Sequence, residues 1–261
     1  MKVYHTLLAC LPGLLAAPLL AQPQIGGGTC SSATLTGNYS TTLTGRDLNS
    51  SVTFSNTTEG IGFVNFDGLS KVTFTLTANT NKIAGTAQTL VGTYSLQANC
   101  VGVLTITSGD AASFTLEAYN TGKNYLITGQ DGTYALTGSG GILPDTCPAS
   151  LTAASYPVNG SGFGLTSTTI SSVFNMLGVL QFGAKNAIAI SGSLSANTGT
   201  TNFSASGTYT LNSNCSATAK LTDSANNTYT LVFEFTSTSG DNFIFSSATG
   251  ASVYTGSGRS L

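Results

Sequence analysis

Gly92-Thr93-Tyr94-Ser95-Leu96-Gln97-Ala98-Asn99-Cys100 returns later in the chain as Gly207-Thr208-Tyr209-Thr210-Leu211-Asn212-Ser213-Asn214-Cys215. Each copy has its own upstream partner, Thr29-Cys30 running to Tyr39 and Thr146-Cys147 running to Tyr156, with Cys and Tyr nine positions apart in both (39 − 30 and 156 − 147). The chain is a duplication, and repetition on this scale decides the architecture before any local reading does. Its 261 residues divide into a signal peptide at 1–21, a flexible lead-in at 22–29 with Gly26-Gly27-Gly28, repeat one at 30–143 and repeat two at 144–261. Ile142-Leu143-Pro144-Asp145 leaves little slack between Gly141 and Cys147, so the two repeats are expected to touch rather than swing on a tether.

Outward from the motif, each repeat breaks into short segments rich in Thr, Val, Tyr and Phe, divided by turn residues: Leu35 to Leu43, Ser51 to Ser55, Ile61 to Phe66 and Val72 to Asn79 in the first copy. Asp67-Gly68 and Asp131-Gly132 are hairpin signals. Between turns, Val72, Phe74, Leu76 and Ala78 alternate with Thr73, Thr75 and Thr77, the period of two that buries one face of a strand and wets the other. In repeat two, Phe182-Gly183 stands where Phe66-Asp67-Gly68 stood, and Thr255-Gly256-Ser257-Gly258 where Thr137-Gly138-Ser139-Gly140 stood. Thr169 to Leu180 has apolar spacing that suits a short helix or strands, and the duplication favours strand.

The leader has Lys2, a broken apolar run from Leu7 to Leu20, and Leu19-Leu20-Ala21 ahead of Gln22, the layout of a secretory signal peptide. Leu7-Leu8-Ala9-Cys10 resembles a lipobox, but cleavage there would leave little apolar segment, so Cys10 reads as a discarded leader residue. No later stretch has the length of a transmembrane helix. The four remaining cysteines, Cys30, Cys100, Cys147 and Cys215, are an even set in an exported chain and allow three pairings. The duplication selects Cys30–Cys100 and Cys147–Cys215, whose separations of 70 and 68 nearly match (100 − 30 and 215 − 147).

Counting strand-sized segments gives an all-β chain of two tandem antiparallel domains, each of about eight strands. A closed barrel, lipocalin-like or allene-oxide-cyclase-like, is favoured over a sandwich. Closure removes the sheet edges that a chain with 7% charged residues and few Lys cannot guard. The paired Cys with Gly-Thr-Tyr-x-Leu-x-x-Asn-Cys, and Phe-Asp-Gly ahead of it, resembles uncharacterised secreted proteins of environmental bacteria built from Ser/Thr/Gly-rich β repeats. The resemblance covers both halves and implies no activity; repeat two lacks the Asp of Phe-Asp-Gly.

Composition excludes several functions. Without Lys2 the chain has 7 basic and 10 acidic residues (8 − 1 against 10) and no basic run, so nucleic acid is not an expected partner. The single His is His5, in the leader, which removes Ser-His-Asp and Cys-His catalysis and His-bearing metal sites; no catalytic residue, metal or cofactor is expected. There is no Trp to stack on a sugar, but Tyr94 and Tyr209 in the motif are candidate ligand-binding residues, set against packing beside the disulfide. Glu117 and Glu234 are candidates because duplication kept both, each on the strand face opposite the apolar residues. As function either would be a lumen carboxylate tuned by burial, but glycosidase-like chemistry needs two carboxylates across one site, so solvent-facing strand residues are the favoured reading. The Thr73, Thr75 and Thr77 row suits a hydroxyl surface for ice or polysaccharide, yet Thr is a common choice on a wet strand face.

These observations lead to an expected secreted, non-enzymatic surface or extracellular binding or structural module, adhesin-like, acting on a glycan, a cell-surface component or another copy of itself. The alternative is a carrier holding a small apolar ligand in its barrels, and a third is an enzyme of unknown type. The inward rows Val72, Phe74, Leu76, Tyr94 and Leu96 are bulky enough to fill a small barrel. That expectation favours the surface reading over the carrier.

Overall fold

The computed structural model describes residues 29–48, 57–80, 83–84, 87–109, 111–151, 154–166, 169–249 and 252–260. The expected signal peptide with Cys10, the lead-in up to Gly28 and the expected strand Ser51 to Ser55 lie outside these residues.

Each repeat closes into an eight-stranded antiparallel barrel. The first is made of β1 (Thr36–Asp47), β2 (Thr57–Asp67), β3 (Lys71–Thr80), the two-residue β4 (Ile83–Ala84), β5 (Gln88–Leu96), β6 (Val101–Ser108), β7 (Ala112–Tyr119), β8 (Asn124–Gln130) and β9 (Tyr134–Ile142). Successive strands pair up and down, β4 hangs from the edge of β3, and β9 returns to β1 to shut the ring. The second runs β10 (Ala154–Thr166), β11 (Thr169–Phe182), β12 (Ala187–Ala196), β13 (Gly199–Leu211), β14 (Ser216–Asp223), β15 (Thr228–Phe235), β16 (Asn242–Thr249) and β17 (Ser252–Arg259), with β17 pairing back to β10. The ambiguous stretch after Thr169 is one long strand, β11.

The repeated motif shapes the closed end of each barrel. A Cβ on Gly92 or Gly207 would lie 2.2 or 1.8 Å from the carbonyl oxygen of Thr105 or Lys220 on the next strand, so only glycine lets β5 meet β6, and β13 meet β14, this closely. Two residues on, Tyr94 and Tyr209 point inward, as do the Leu residues two further along. The chain then turns: the Asn99 and Asn214 side chains accept from the main-chain N–H of Val101 and Ser216. Cys100 and Cys215 take left-handed φ values of 69° and 63°. Both expected disulfides form there, Cys30–Cys100 and Cys147–Cys215.

Above the disulfides each barrel is plugged by aromatic rings. In the first, Phe66 meets Tyr39, Tyr94 and Tyr125 edge-on with centroids 5.4, 4.9 and 5.4 Å apart. In the second, Phe182 meets Tyr156, Tyr209 and Phe233 in the same manner at 5.5, 5.0 and 5.7 Å. Such pairs contribute about 0.5–1.5 kcal/mol each beyond the area they bury. The Tyr39 hydroxyl donates to the Gly122 carbonyl at 2.6 Å and pins the turn between β7 and β8 across the closed end.

The barrels touch, as the short join implies. Alternation points Ile61 outward from β2, Phe163 from β10 and Val253 from β17, yet they are 3%, 3% and 0% exposed because the other barrel covers them. The Arg46 guanidinium sits 4.9 Å from the centre of the Phe163 ring across this seam.

Candidate functional site

The inward rows fill only half of each barrel. Beyond the aromatic plug, towards the end away from the disulfides, the lumen of each barrel holds a cavity. The first barrel holds a cup of about 330 Å³ there, walled by Leu43, Phe74, Leu76, Leu90, Ile106, Phe114 and Leu136 and rimmed by Thr58, Thr80, Gln88, Asp131 and Tyr134. The second holds one of about 500 Å³, walled by Phe174, Met176, Ile190, Leu194, Phe203, Leu221, Leu231 and Tyr254, with Asn202, Ser204, Asp223, Ser224, Tyr229 and Ser252 among its polar lining. The expectation of a filled interior is therefore corrected. It holds for Val72, Tyr94 and Leu96 near the plug, and it fails at the open end, where Ala78, Ala112 and Ala205 stand in the inward rows.

The carboxylates at the rims are committed to their own turns. Asp131 accepts from the N–H groups of Thr133 and Tyr134 at 2.9 and 2.7 Å. Asp223 accepts from the N–H groups of Ala225 and Asn227, the Asn227 side-chain amide and the Tyr229 hydroxyl. These bonds, the Asn227 amide first, hold Asp223 below the usual carboxylate range. Burial raises the Tyr254 hydroxyl well above its ordinary value, so it enters the second cup as a neutral phenol. What faces a ligand is thus an apolar wall under a polar rim whose carboxylates, Asp131 and Asp223, are already engaged by their own turns, suited to an apolar body with a polar end.

The candidates from sequence lie elsewhere. Tyr94 and Tyr209 belong to the plugs: the Tyr94 hydroxyl donates to the carbonyls of Ser32 and Leu35 at 2.9 Å, and burial pushes it up to about 12. Tyr209 packs on Phe182. Neither lines a cup. Glu117 is half-buried on the outer face of β7. Glu234 sits on the outer face of β15, as its alternation implied, but the solvent-facing reading is corrected: it is 1% exposed because the first barrel packs over it, and its carboxylate accepts from the Thr41 N–H at 3.3 Å. The two Glu residues do not meet in one site.

Sequence reading missed Glu59, the other buried carboxylate, 2% exposed on β2. Its local signal is a lone acid in Thr57-Thr58-Glu59-Gly60-Ile61-Gly62, a stretch with no other charge. Among the described residues no three His, Cys, Asp or Glu side chains gather as a metal site, and no helix is long and apolar enough to cross a membrane.

No known family profile matches the chain, and neither does any curated protein. Among solved structures the chain is similar to the isotype 1 transferrin binding protein B of serogroup B Neisseria meningitidis. That likeness has 11% identity, covers 90% of this chain and 77% of that one, and has a TM-score of 0.29, too loose to carry an argument about function.

Proposed function

We propose that this is an exported, non-enzymatic binding protein in which each barrel takes the apolar part of a small ligand into its cup. One observation carries the reading: both repeats stop filling their lumen above the aromatic plug and leave apolar cups of about 330 and 500 Å³ at the same end. Small barrels of this strand number are either filled by side chains or hold one small ligand, and these do each over half their length. Two disulfides fit the oxidising compartment that export provides. Native mass spectrometry of the exported protein, run beside a glycan array, tests it. An apolar molecule bound in stoichiometric amount supports the carrier, and a glycan signal with empty cups overturns it.

A second reading, surface or matrix binding of adhesin type, draws support from the outside of the second barrel. Val173, Leu177 and Val179 alternate along β11 on its outer face and are 51%, 67% and 41% exposed. A row of that kind suits contact with another protein surface or a second copy. We also propose 30–143 and 144–261 as the two folding units, since each barrel is closed by its own strands and stapled by its own disulfide.

A further inference from the structure

The seam between the barrels buries two carboxylates, one from each repeat, in a chain that has very few charges to spend. Glu234 of the second barrel meets the first barrel at the Thr41 N–H, the only hydrogen bond it accepts among the described residues. The Tyr125 hydroxyl is buried close by and has no hydrogen-bond partner of good geometry; the neighbouring Thr41 hydroxyl donates instead to the Ser139 carbonyl at 3.3 Å. Glu59 of the first barrel accepts from the Thr44 hydroxyl at 2.7 Å, and Thr255 of the second barrel lies beside it.

We propose that this seam is a proton-linked joint: it closes with Glu59 and Glu234 as neutral acids and loosens when they ionise. An isolated carboxylate taken out of water costs far more than one N–H bond returns, so the group either holds its proton or regains solvent by parting the barrels. No cation pairs with Glu234. Tyr125 on β8 is the titratable group set against it, β16 carries no charged residue, Lys123 just ahead of β8 is solvent-exposed although it shares a cavity with Thr236 and Ile244, and Lys220 on β14 is solvent-exposed opposite Thr230, a full four residues along from Glu234. Glu59 is better served by the charge of Arg46 on β1. On its other neighbours β4 and β16 carry no charge, Lys71 on β3 lies at the far end of the strand, and Arg259 lies four residues beyond Thr255 on β17.

Burial is the dominant influence on both groups. It pushes Glu59 up to about 7 against the Thr44 hydrogen bond, the Thr255 side chain and Arg46, and raises Glu234 well above the usual carboxylate range against the Thr41 N–H. Closing the joint therefore binds protons. Its stability is fully present below the ordinary Glu value of 4.5 and is lost as pH rises through about 7 for Glu59, with Glu234 extending the loss to higher pH.

The experiment is X-ray solution scattering of the full chain from pH 5 to 9, on the natural protein, Glu59→Gln, Glu234→Gln and the double variant. Glutamine stands for the protonated acid. The natural protein is expected to expand above about pH 7, each single variant to shift that expansion to higher pH or shrink it, and the double variant to stay compact throughout. Superimposable scattering of the natural protein from pH 5 to 9 overturns the proposal, and so does an unchanged expansion in the double variant. If the double variant does not fold, the natural profile and the two singles decide on the same criteria.

Discussion

The main-chain N–H of Thr41 donates to the carboxylate of Glu234 at 3.3 Å, joining the wall of one barrel to the outer face of the other. Thr41 also lines the first cup. Its strand thus has the ligand cavity on one side and the seam on the other, and substitutions at Glu234 report on how the two barrels hold together.

At pH 8, Glu234→Gln should raise the unfolding temperature, because the amide oxygen keeps an acceptor for the Thr41 N–H and removes an ionisable group that burial disfavours in its charged form. At pH 5 the same change should be close to neutral. Glu234→Ala should destabilise at both values by about 1–3 kcal/mol, the cost of leaving a buried donor unsatisfied. Calorimetry at the two pH values checks this, and a Gln variant less stable than the natural protein at pH 8 contradicts it.

Removing either staple should be felt mainly in its own barrel. Each disulfide closes a loop of 70 or 68 residues, for which chain entropy gives about 4 kcal/mol. Cys147→Ala with Cys215→Ala should therefore lower the melting of the second barrel more than that of the first, as followed by hydrogen exchange in β10 to β17 against β1 to β9. Equal loss in both barrels would mean that they melt as one cooperative unit.

The separated repeats, 29–143 and 144–261, should each give a folded barrel with its disulfide, at lower stability than in the full chain. Separation exposes Ile61 on one piece and Phe163 and Val253 on the other, side chains whose burial contributes about 1.5–3 kcal/mol each. Circular dichroism and thermal melts of the two pieces test this. Two unfolded pieces would show that the strands depend on the seam.

Much of this fold is written plainly in the chain. The spacing of Cys30, Cys100, Cys147 and Cys215 identifies the pairing, because a duplication repeats its own cross-link. The alternation Val72, Phe74, Leu76 identifies the inward face, because a strand shows its sides by turns. Alternation is silent on what lies beyond the outward face. Glu234 has the pattern of a solvated residue, and only the packing of one barrel on the other makes it a buried one. The cups were hidden for a related reason. Bulky residues such as Phe74 and Leu76 look sufficient to fill a lumen when counted along one strand, whereas the space at the open end depends on small residues as well, Ala78 further along β3 and Ala112 on β7.

The most direct test of the central claim is the number of apolar molecules each chain binds. Titration of the full chain with the fluorescent probe N-phenyl-1-naphthylamine, with stoichiometry read by native mass spectrometry, should give two sites. Filling the first cup with Ala112→Trp or the second with Ala205→Trp should leave one, and the pair together none, with far-ultraviolet circular dichroism unchanged. Absence of probe binding by the natural protein, or binding that survives in the folded double variant, would contradict the assignment of the barrel cups as the binding sites.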